Sequence, residues 1–346
     1  MSAELTAELK KFARAQGADL VGIGSMDRFE GAPVDCDPRF IMPEATHMVG
    51  LAFRIHRGNL RGIEEGTHFG AYSTYDYSLV NKVHQPLVCR QVASFIEDHG
   101  FEAFTFGNSI VRMGTNVGRP VRPGYPRPDV FLHVRIACYI CGLGEIGWSK
   151  VFLTPEFGPR QRLAFLITDA PLDADPIYAG PKLCNRCYRC VSDCPVGAIP
   201  KDESVKVEIA GKELEWCKLD QHRCGLGWQA AVPERNPHAD EGVRGAMREM
   251  LEDMDARPFE ERQDEVWQPR NRLGKIFHYT RNGDHYFRHP GAICGGRGCI
   301  RSCMVSLEDR DVLANKFARK FRRRPEWILE DDDPELAAVA PPDRED

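Results

Sequence analysis

The stretch Cys184-Asn185-Arg186-Cys187-Tyr188-Arg189-Cys190-Val191-Ser192-Asp193-Cys194-Pro195 decides how this chain is read. Three cysteines recur at every third residue, and a fourth follows after a gap of three, with proline behind it. This is the bacterial spacing for cysteine ligation of iron–sulfur clusters, in which the last cysteine serves a neighbouring cluster. Three thiolates two residues apart wrap one face of a cubane. The fourth, turned away by proline, points elsewhere. A disulfide framework does not need this regularity, and a structural zinc site rarely draws four cysteines from so short a run.

A second ligand group must then exist. Cys294, Cys299 and Cys303 lie close together further on, and Cys217 and Cys224 precede them. The count closes with Cys184, Cys187, Cys190 and Cys303 around one [4Fe–4S] cluster. Cys194, Cys294 and Cys299, with Cys224 or Cys217, would hold another. The second group is irregular. Gly295-Gly296-Arg297-Gly298 widens the usual two-residue gap, and Met304 stands where proline is usual. The three glycines let the backbone bend around a cluster.

With 346 residues the chain is too long for a bare cluster carrier and can bury a full core. Its 42% hydrophobic and 28% charged residues are ordinary for a globular protein. A net charge of −5 gives no general attraction to nucleic acid or anionic lipid. No run approaches the roughly 18 apolar residues of a membrane span. The first residues carry no basic, apolar or twin-arginine export signal. Thirteen cysteines without such a signal predict a reducing, cytoplasmic setting. Cys36, Cys89, Cys138 and Cys141 fall outside the cluster count. Cys138 and Cys141 lie in an apolar stretch and read as small buried hydrophobes.

The N-terminal half reads as alternating helices and strands. Leu5, Leu9 and Phe12 share a helical face that Gly17 ends. Strands are predicted over 19–23, 48–53, 102–106 and 163–168. Val88, Val92, Phe95 and Ile96 mark an amphipathic helix closed by Gly100. Residues 130–141 predict a buried helix ending at Gly142. A polar, helix-prone insert covers about 225–293, with Trp228, Trp267, Phe277, Tyr279, Tyr286 and Phe287 among its aromatics. Residues 316–324 are strongly basic, and from 330 onward an acidic, disordered tail is expected. Gly142-Leu143-Gly144-Glu145-Ile146-Gly147 matches a dinucleotide fingerprint, but Pro155, Gly158 and Pro159 leave no room for the helix such a fold requires.

The same block carries a resemblance. Residues 142–147, Leu153-Thr154-Pro155-Glu156-Phe157-Gly158-Pro159-Arg160, Arg162-Leu163 and Thr168-Asp169-Ala170-Pro171-Leu172 resemble the core of reductive dehalogenases, where the block also leads into the first cluster cysteines. Residues 17–23 are similar to the start of both reductive dehalogenases and epoxyqueuosine reductases. Residues 216–224 resemble the segment ending in the first ligand of the second cluster, which favours Cys224 over Cys217. The resemblance implies an α/β (α+β) fold: a nitroreductase-like, cobalamin-binding domain over 1–178, then a bacterial-ferredoxin-like two-cluster module over 179–310 with the insert 225–293. A basic helix and tail over 311–346 complete the expected organisation.

The implied activity is a cytoplasmic, cobalamin-dependent iron–sulfur reductase acting on a small molecule such as an organohalide. It would draw electrons from a ferredoxin- or flavodoxin-type donor and work as a homodimer. Gly142, Leu143, Gly144, Gly147, Pro155, Gly158 and Arg160 are the implied corrinoid-binding residues. Asp129, Tyr125 and Tyr139 are candidate proton donors, with His133 a further titratable group, and Arg162 is a candidate for holding an anion. Epoxyqueuosine reductases act on transfer RNA. The acidic balance argues against nucleic acid here. An iron–sulfur carrier without corrinoid and a cobalamin-processing protein are the other readings of the same residues.

Overall fold

The computed structural model describes residues 2–106, 118–130, 132–228, 230–239, 241–262, 294, 297–321 and 327–329. Its strands are β1 Leu20–Ser25, β2 His47–Arg54, β3 Ala103–Phe106, β4 Glu145–Ile146, β5 Phe152–Leu153, β6 Gln161–Thr168, β7 Ser204–Ile209 and β8 Lys212–Cys217. Four of them form a sheet in the order β1-β2-β6-β3, with every pairing antiparallel. The fold is mixed α/β.

Alternation along the strands sorts the core into two layers. Val21, Ile23, Val49, Leu51, Phe53, Ala164 and Leu166 face the helices Ser2–Ala15 and Gln85–Asp98. Met48, Ala52, Leu163, Phe165 and Ile167 face the opposite side, against the helix Val134–Ile140. Each predicted strand and helix of this half is present, within a few residues of its expected ends. Gly17 and Gly100 close their helices at φ of +113° and +84°.

Glycines decide how closely the second layer approaches. Gly22 of β1 pairs directly with Gly50 of β2. A Cβ on Gly22 would lie 2.2 Å from the carbonyl oxygen of Cys141, and one on Gly50 would lie 2.9 Å from the Cys141 Cβ. The pair forms a groove that seats the end of the helix Val134–Ile140 on the sheet. Cys138 and Cys141 are fully buried in this layer, and burial pushes the Cys141 thiol up to about 12. They serve as apolar filler.

The C-terminal helix Cys299–Asp309 docks on the rim of the sheet domain through buried charge. Arg301 pairs with Glu64, and Arg57 lies 3.2 Å from Glu308. Met304 and Val305 pack with Ile55, Leu60, Ile63, Tyr72 and Phe321. One expectation fails nearby. Residues 312–321 contain bends and no helix, so the described part of the basic segment is not helical. Its chain is held instead by contacts such as Ala314 N–H donating to the Pro155 carbonyl at 2.9 Å. The hairpin β7–β8, turned at Ala210 and Gly211 with φ of +52° and +70°, falls in a stretch read only as part of the cluster module. The insert's described residues include the helix Glu241–Ala256. Trp267, Phe277, Tyr279, Tyr286, Phe287 and the tail from 330 lie outside the described residues. Among the described residues no helix is long and apolar enough to cross a membrane.

Gly22→Ala tests the groove. A methyl group forced against a backbone carbonyl should cost roughly 1–3 kcal/mol by overpacking. Urea unfolding should show the loss as a lower midpoint, and an unchanged midpoint would rule out the close approach.

Candidate functional site

Cys184, Cys187 and Cys190 lie on one surface loop, and Cys303 lies on the C-terminal helix. The fold brings all four to the wall of a single cavity. Trp148, Leu153, Leu183 and Leu307 supply its apolar lining. The sulfurs are met by donors. The Trp148 N–H donates to the Cys184 sulfur at 3.3 Å, and the Ser306 hydroxyl lies 3.4 Å from the Cys187 sulfur. The Glu145 carboxylate accepts the Cys184 N–H at 2.6 Å, which fixes the start of the loop. Burial, and then the neighbouring Cys184 and Cys187, push the Cys190 thiol up to about 11. Burial likewise pushes Cys303 well above its ordinary range, with Cys190, Cys299, Cys184 and Cys187 as its sulfur neighbours.

The second group gathers beside the first. Cys194, Cys224 and Cys299 are the sulfur neighbours that, after burial, push the Cys294 thiol up. Cys224 is held at about 11 by burial and then by Cys194. The Ala198 N–H donates to the Cys194 sulfur at 3.2 Å. Asp193 accepts the Ser302 hydroxyl at 2.7 Å, tying the cysteine loop to the C-terminal helix. Cys217 is fully buried between the groups, with Cys190, Cys224 and Cys194 as neighbours. Among the described residues no three His, Cys, Asp or Glu side chains form a site for a single metal ion.

Cations border this second group. Arg135 faces Cys224 and Cys299, and Lys150 faces Cys217 and Cys224. Burial, then Arg135, holds the Lys150 ammonium down to about 8. Burial, then Arg135 and Lys150, lowers His133 well below its usual range, and its ring stacks on Trp216 at 6.0 Å. Positive charge beside buried thiols favours their thiolate form.

Arg162 leaves β6 toward the same region. Its Nε donates to Asn81 Oδ1 at 2.9 Å, and its guanidinium lies 4.5 Å above the Tyr77 ring. Tyr72 is buried nearby. Its phenol is pushed up by burial and pulled the other way by Arg162, and Cys294 and Cys299 are among its neighbours. Tyr72, Tyr77 and Asn81 all belong to the π-helical segment Tyr72–His84.

No family model matches the chain. Over 96 residues it is 38% identical to a tetrachloroethene reductive dehalogenase of Dehalobacter restrictus, covering 25% of this chain and 17% of that one. Over 58 residues it is 41% identical to an epoxyqueuosine reductase of a Synechococcus strain, covering 17% of each. The chain therefore spans about a sixth of the length of these relatives. A solved catabolic reductive dehalogenase matches 79% of this chain and 37% of its own, with 19% identity and a TM-score of 0.47. The chain is related to the reductive dehalogenases and epoxyqueuosine reductases.

The residues expected from this kinship are not brought together alike. Gly142, Gly144, Gly147 and Gly158 meet the protein's own atoms. A Cβ on Gly142 would lie 2.3 Å from the Pro176 carbonyl, and one on Gly144 would lie 1.9 Å from the Leu153 carbonyl. Leu143 is in the core, and Pro155 accepts from Ala314. Arg160 is 1% exposed, and it donates to the Ile55 carbonyl at 2.8 Å and to Asn315 at 2.9 Å. It is an internal brace whose two terminal nitrogens are engaged, while its buried Nε has no hydrogen-bond partner. At these glycines the 142–158 block packs on the chain's own atoms, and its Trp148 and Leu153 line the first cysteine cavity. Tyr139 is 4% exposed in the core, Tyr125 packs edge-on against Phe40 on an exposed loop, and Asp129 is exposed on that loop. None of the three is among the Arg162 contacts named above.

Should Cys187 ligate an iron–sulfur cluster, Ser306→Ala would remove a hydroxyl donor from that ligand's sulfur. The potential of that cluster should fall by roughly 30–60 mV, equivalent to a three- to tenfold change in its reduction equilibrium. Potentiometric titration followed by electron spin resonance reads this shift, and an unchanged potential would exclude the contact.

Proposed function

We propose that this protein is a two-cluster iron–sulfur reductase of the reductive dehalogenase type, acting on a small molecule. The observation that carries the reading is the convergence of Cys184, Cys187, Cys190 and Cys303 on one cavity, from two segments far apart in the chain. Four thiols around one cavity, with a backbone N–H at the Cys184 sulfur and a hydroxyl at the Cys187 sulfur, suit an iron–sulfur cubane. Cys194, Cys224, Cys294 and Cys299 are the proposed ligands of the second cluster. The arginine and lysine beside them offset the charge of four thiolates. Residues 1–178 are proposed as the nitroreductase-like domain and 179–310 as the ferredoxin-like module.

When bound, the clusters supply single electrons and a corrinoid would supply the metal centre that carries the cleavage. The corrinoid and the residues assigned to it enter on kinship alone. What the chain itself offers the reaction is Arg162. Asn81 and Tyr77 hold its guanidinium, which keeps its charge when desolvated and suits a departing anion or a conjugate base. Reductive cleavage ends in protonation of carbon, and the acid is proposed among Asp129, Tyr125, Tyr139 and, on its contact with Arg162, Tyr77.

Anaerobic reconstitution should load about eight irons per chain, as two cubanes require. Cys184→Ser or Cys303→Ser should remove one half, and Cys294→Ser or Cys299→Ser the other. Four irons in the wild type, untouched by Cys294→Ser, would reduce the reading to one cluster. Adding hydroxocobalamin before desalting separates two readings. Retained corrinoid absorbance supports the reductase, and its loss leaves an iron–sulfur carrier. Incubation with transfer RNA tests kinship with the epoxyqueuosine reductases, since a stable complex would replace the small-molecule substrate.

Removing the acid should lower turnover of a small organohalide by roughly 10²–10⁴-fold with iron content intact. Tyr77→Phe and Arg162→Met are the first variants to compare with Asp129→Asn. Wild-type rates in all three would leave Tyr125 and Tyr139 as the acids to test.

A further inference from the structure

Among the described residues Cys187 is the one exposed cysteine. It lines the first cysteine cavity from the outer side, so charge reaching that cavity from solution crosses the least protein there. The surrounding surface is basic. Between Asp175 and Asp193 the chain has no acidic residue and carries Lys182, Arg186 and Arg189. Lys182 is exposed, and its side chain makes no hydrogen bond or ion pair among the described residues. The side chains of Arg186 and Arg189 are 47% and 48% exposed, whereas their partners Glu215 and Asp309 are 22% and 18% exposed. The cation is therefore the outward member of each pair. Arg310 also lines the cavity and donates to the Lys182 carbonyl at 3.4 Å. Lys201 lies 5.7 Å above the Tyr188 ring, although Asp202 and Glu203 follow it in sequence, with Glu203 turned toward Lys218 at 3.5 Å. On a chain of net charge −5 this rim is a local reversal of sign.

We propose that the rim of Lys182, Arg186, Arg189 and Arg310 around Cys187 is the docking surface for an acidic one-electron carrier protein of the ferredoxin class. The proposal rests on the iron–sulfur reading of the cavity. Opposite charge steers encounter and fixes orientation more than it adds affinity, which suits a partner that must leave after each delivery. One electron passes from the reduced cluster of the carrier to the cluster at Cys187. The carrier is oxidised, the cavity's cluster is reduced, and no bond or proton changes hands.

The test uses the full iron-loaded chain and a reduced plant-type [2Fe–2S] ferredoxin in stopped flow. Raising salt from about 20 to about 200 mM shortens the screening length several-fold, and the wild-type rate should fall roughly tenfold. Lys182→Glu/Arg189→Glu should lose roughly tenfold at low salt and most of the salt dependence. Lys182→Glu alone should lose about threefold. Lys11→Glu/Arg14→Glu makes the same change in net charge on an exposed distant helix and should stay within about twofold of wild type. Reduction by methyl viologen radical should be equal in all. An equal loss in the distant pair, or none in the rim variants, overturns the proposal. Binding of fluorescently labelled ferredoxin, read by anisotropy, separates the two layers of argument. Rim-dependent binding to a chain that loads no iron would keep the surface and sink the cluster reading. Iron loading with rim-independent binding would do the reverse.

Discussion

Two cysteines one helical turn apart, Cys299 and Cys303, constrain everything else in this molecule. Four residues along a helix advance about 6 Å and return to the same face. Cys303 therefore faces the loop of Cys184, Cys187 and Cys190, while Cys299 faces Cys194, Cys224 and Cys294. Two thiol groups are forced to lie side by side by the pitch of one helix. The Asp193–Ser302 hydrogen bond sits between them and locks the loop to that helix. The neighbouring turns carry Arg301 and Glu308 to their partners on the sheet domain, so the same helix sets the position of both cysteine groups against the sheet.

The sheet domain meets this helix with unusually polar packing. Arg301 and Glu64 are 9% and 4% exposed at their side chains, and Arg57 is 5% exposed. Such pairs cost desolvation and are weak sources of net stability, but losing one partner leaves a buried charge. They select one docking geometry over near alternatives. Arg160 extends the same logic across the seam, because its donors join the end of β2 to the segment after the helix.

Much of this was legible in the residues. The cysteine spacing pointed to two groups, and the pairing of Cys303 with the first run followed from counting. Period-two and period-three-to-four patterns found the central strands and their helices, because each has one wet face and one dry one. Three things were hidden, each for a physical reason. The segment 72–84 is rich in tyrosine and polar residues and winds as a π-helix, so no 3.6-residue stripe betrays that it carries the partners of Arg162. Arg160 reads as a surface or ligand residue until its carbonyl acceptors are seen, and those come from distant segments. The glycines at 142 and 144 signal close approach, but a sequence does not say whether the approaching atom is a cofactor or the chain's own carbonyl, and here it is the latter.

The cavity wall drawn from residues 148–190 and from the helix beginning at Cys299 also sets an order of events at the ribosome. Roughly 110 residues separate Cys190 from Cys303, so the pocket stays open on one side for roughly 6–20 s of synthesis after its first three cysteines emerge. During that interval three thiols stand exposed on a nascent chain whose sheet domain is already complete. Closure of the pocket is thereby a late, C-terminal step, and a chain ending before Cys299 carries only one of its two walls.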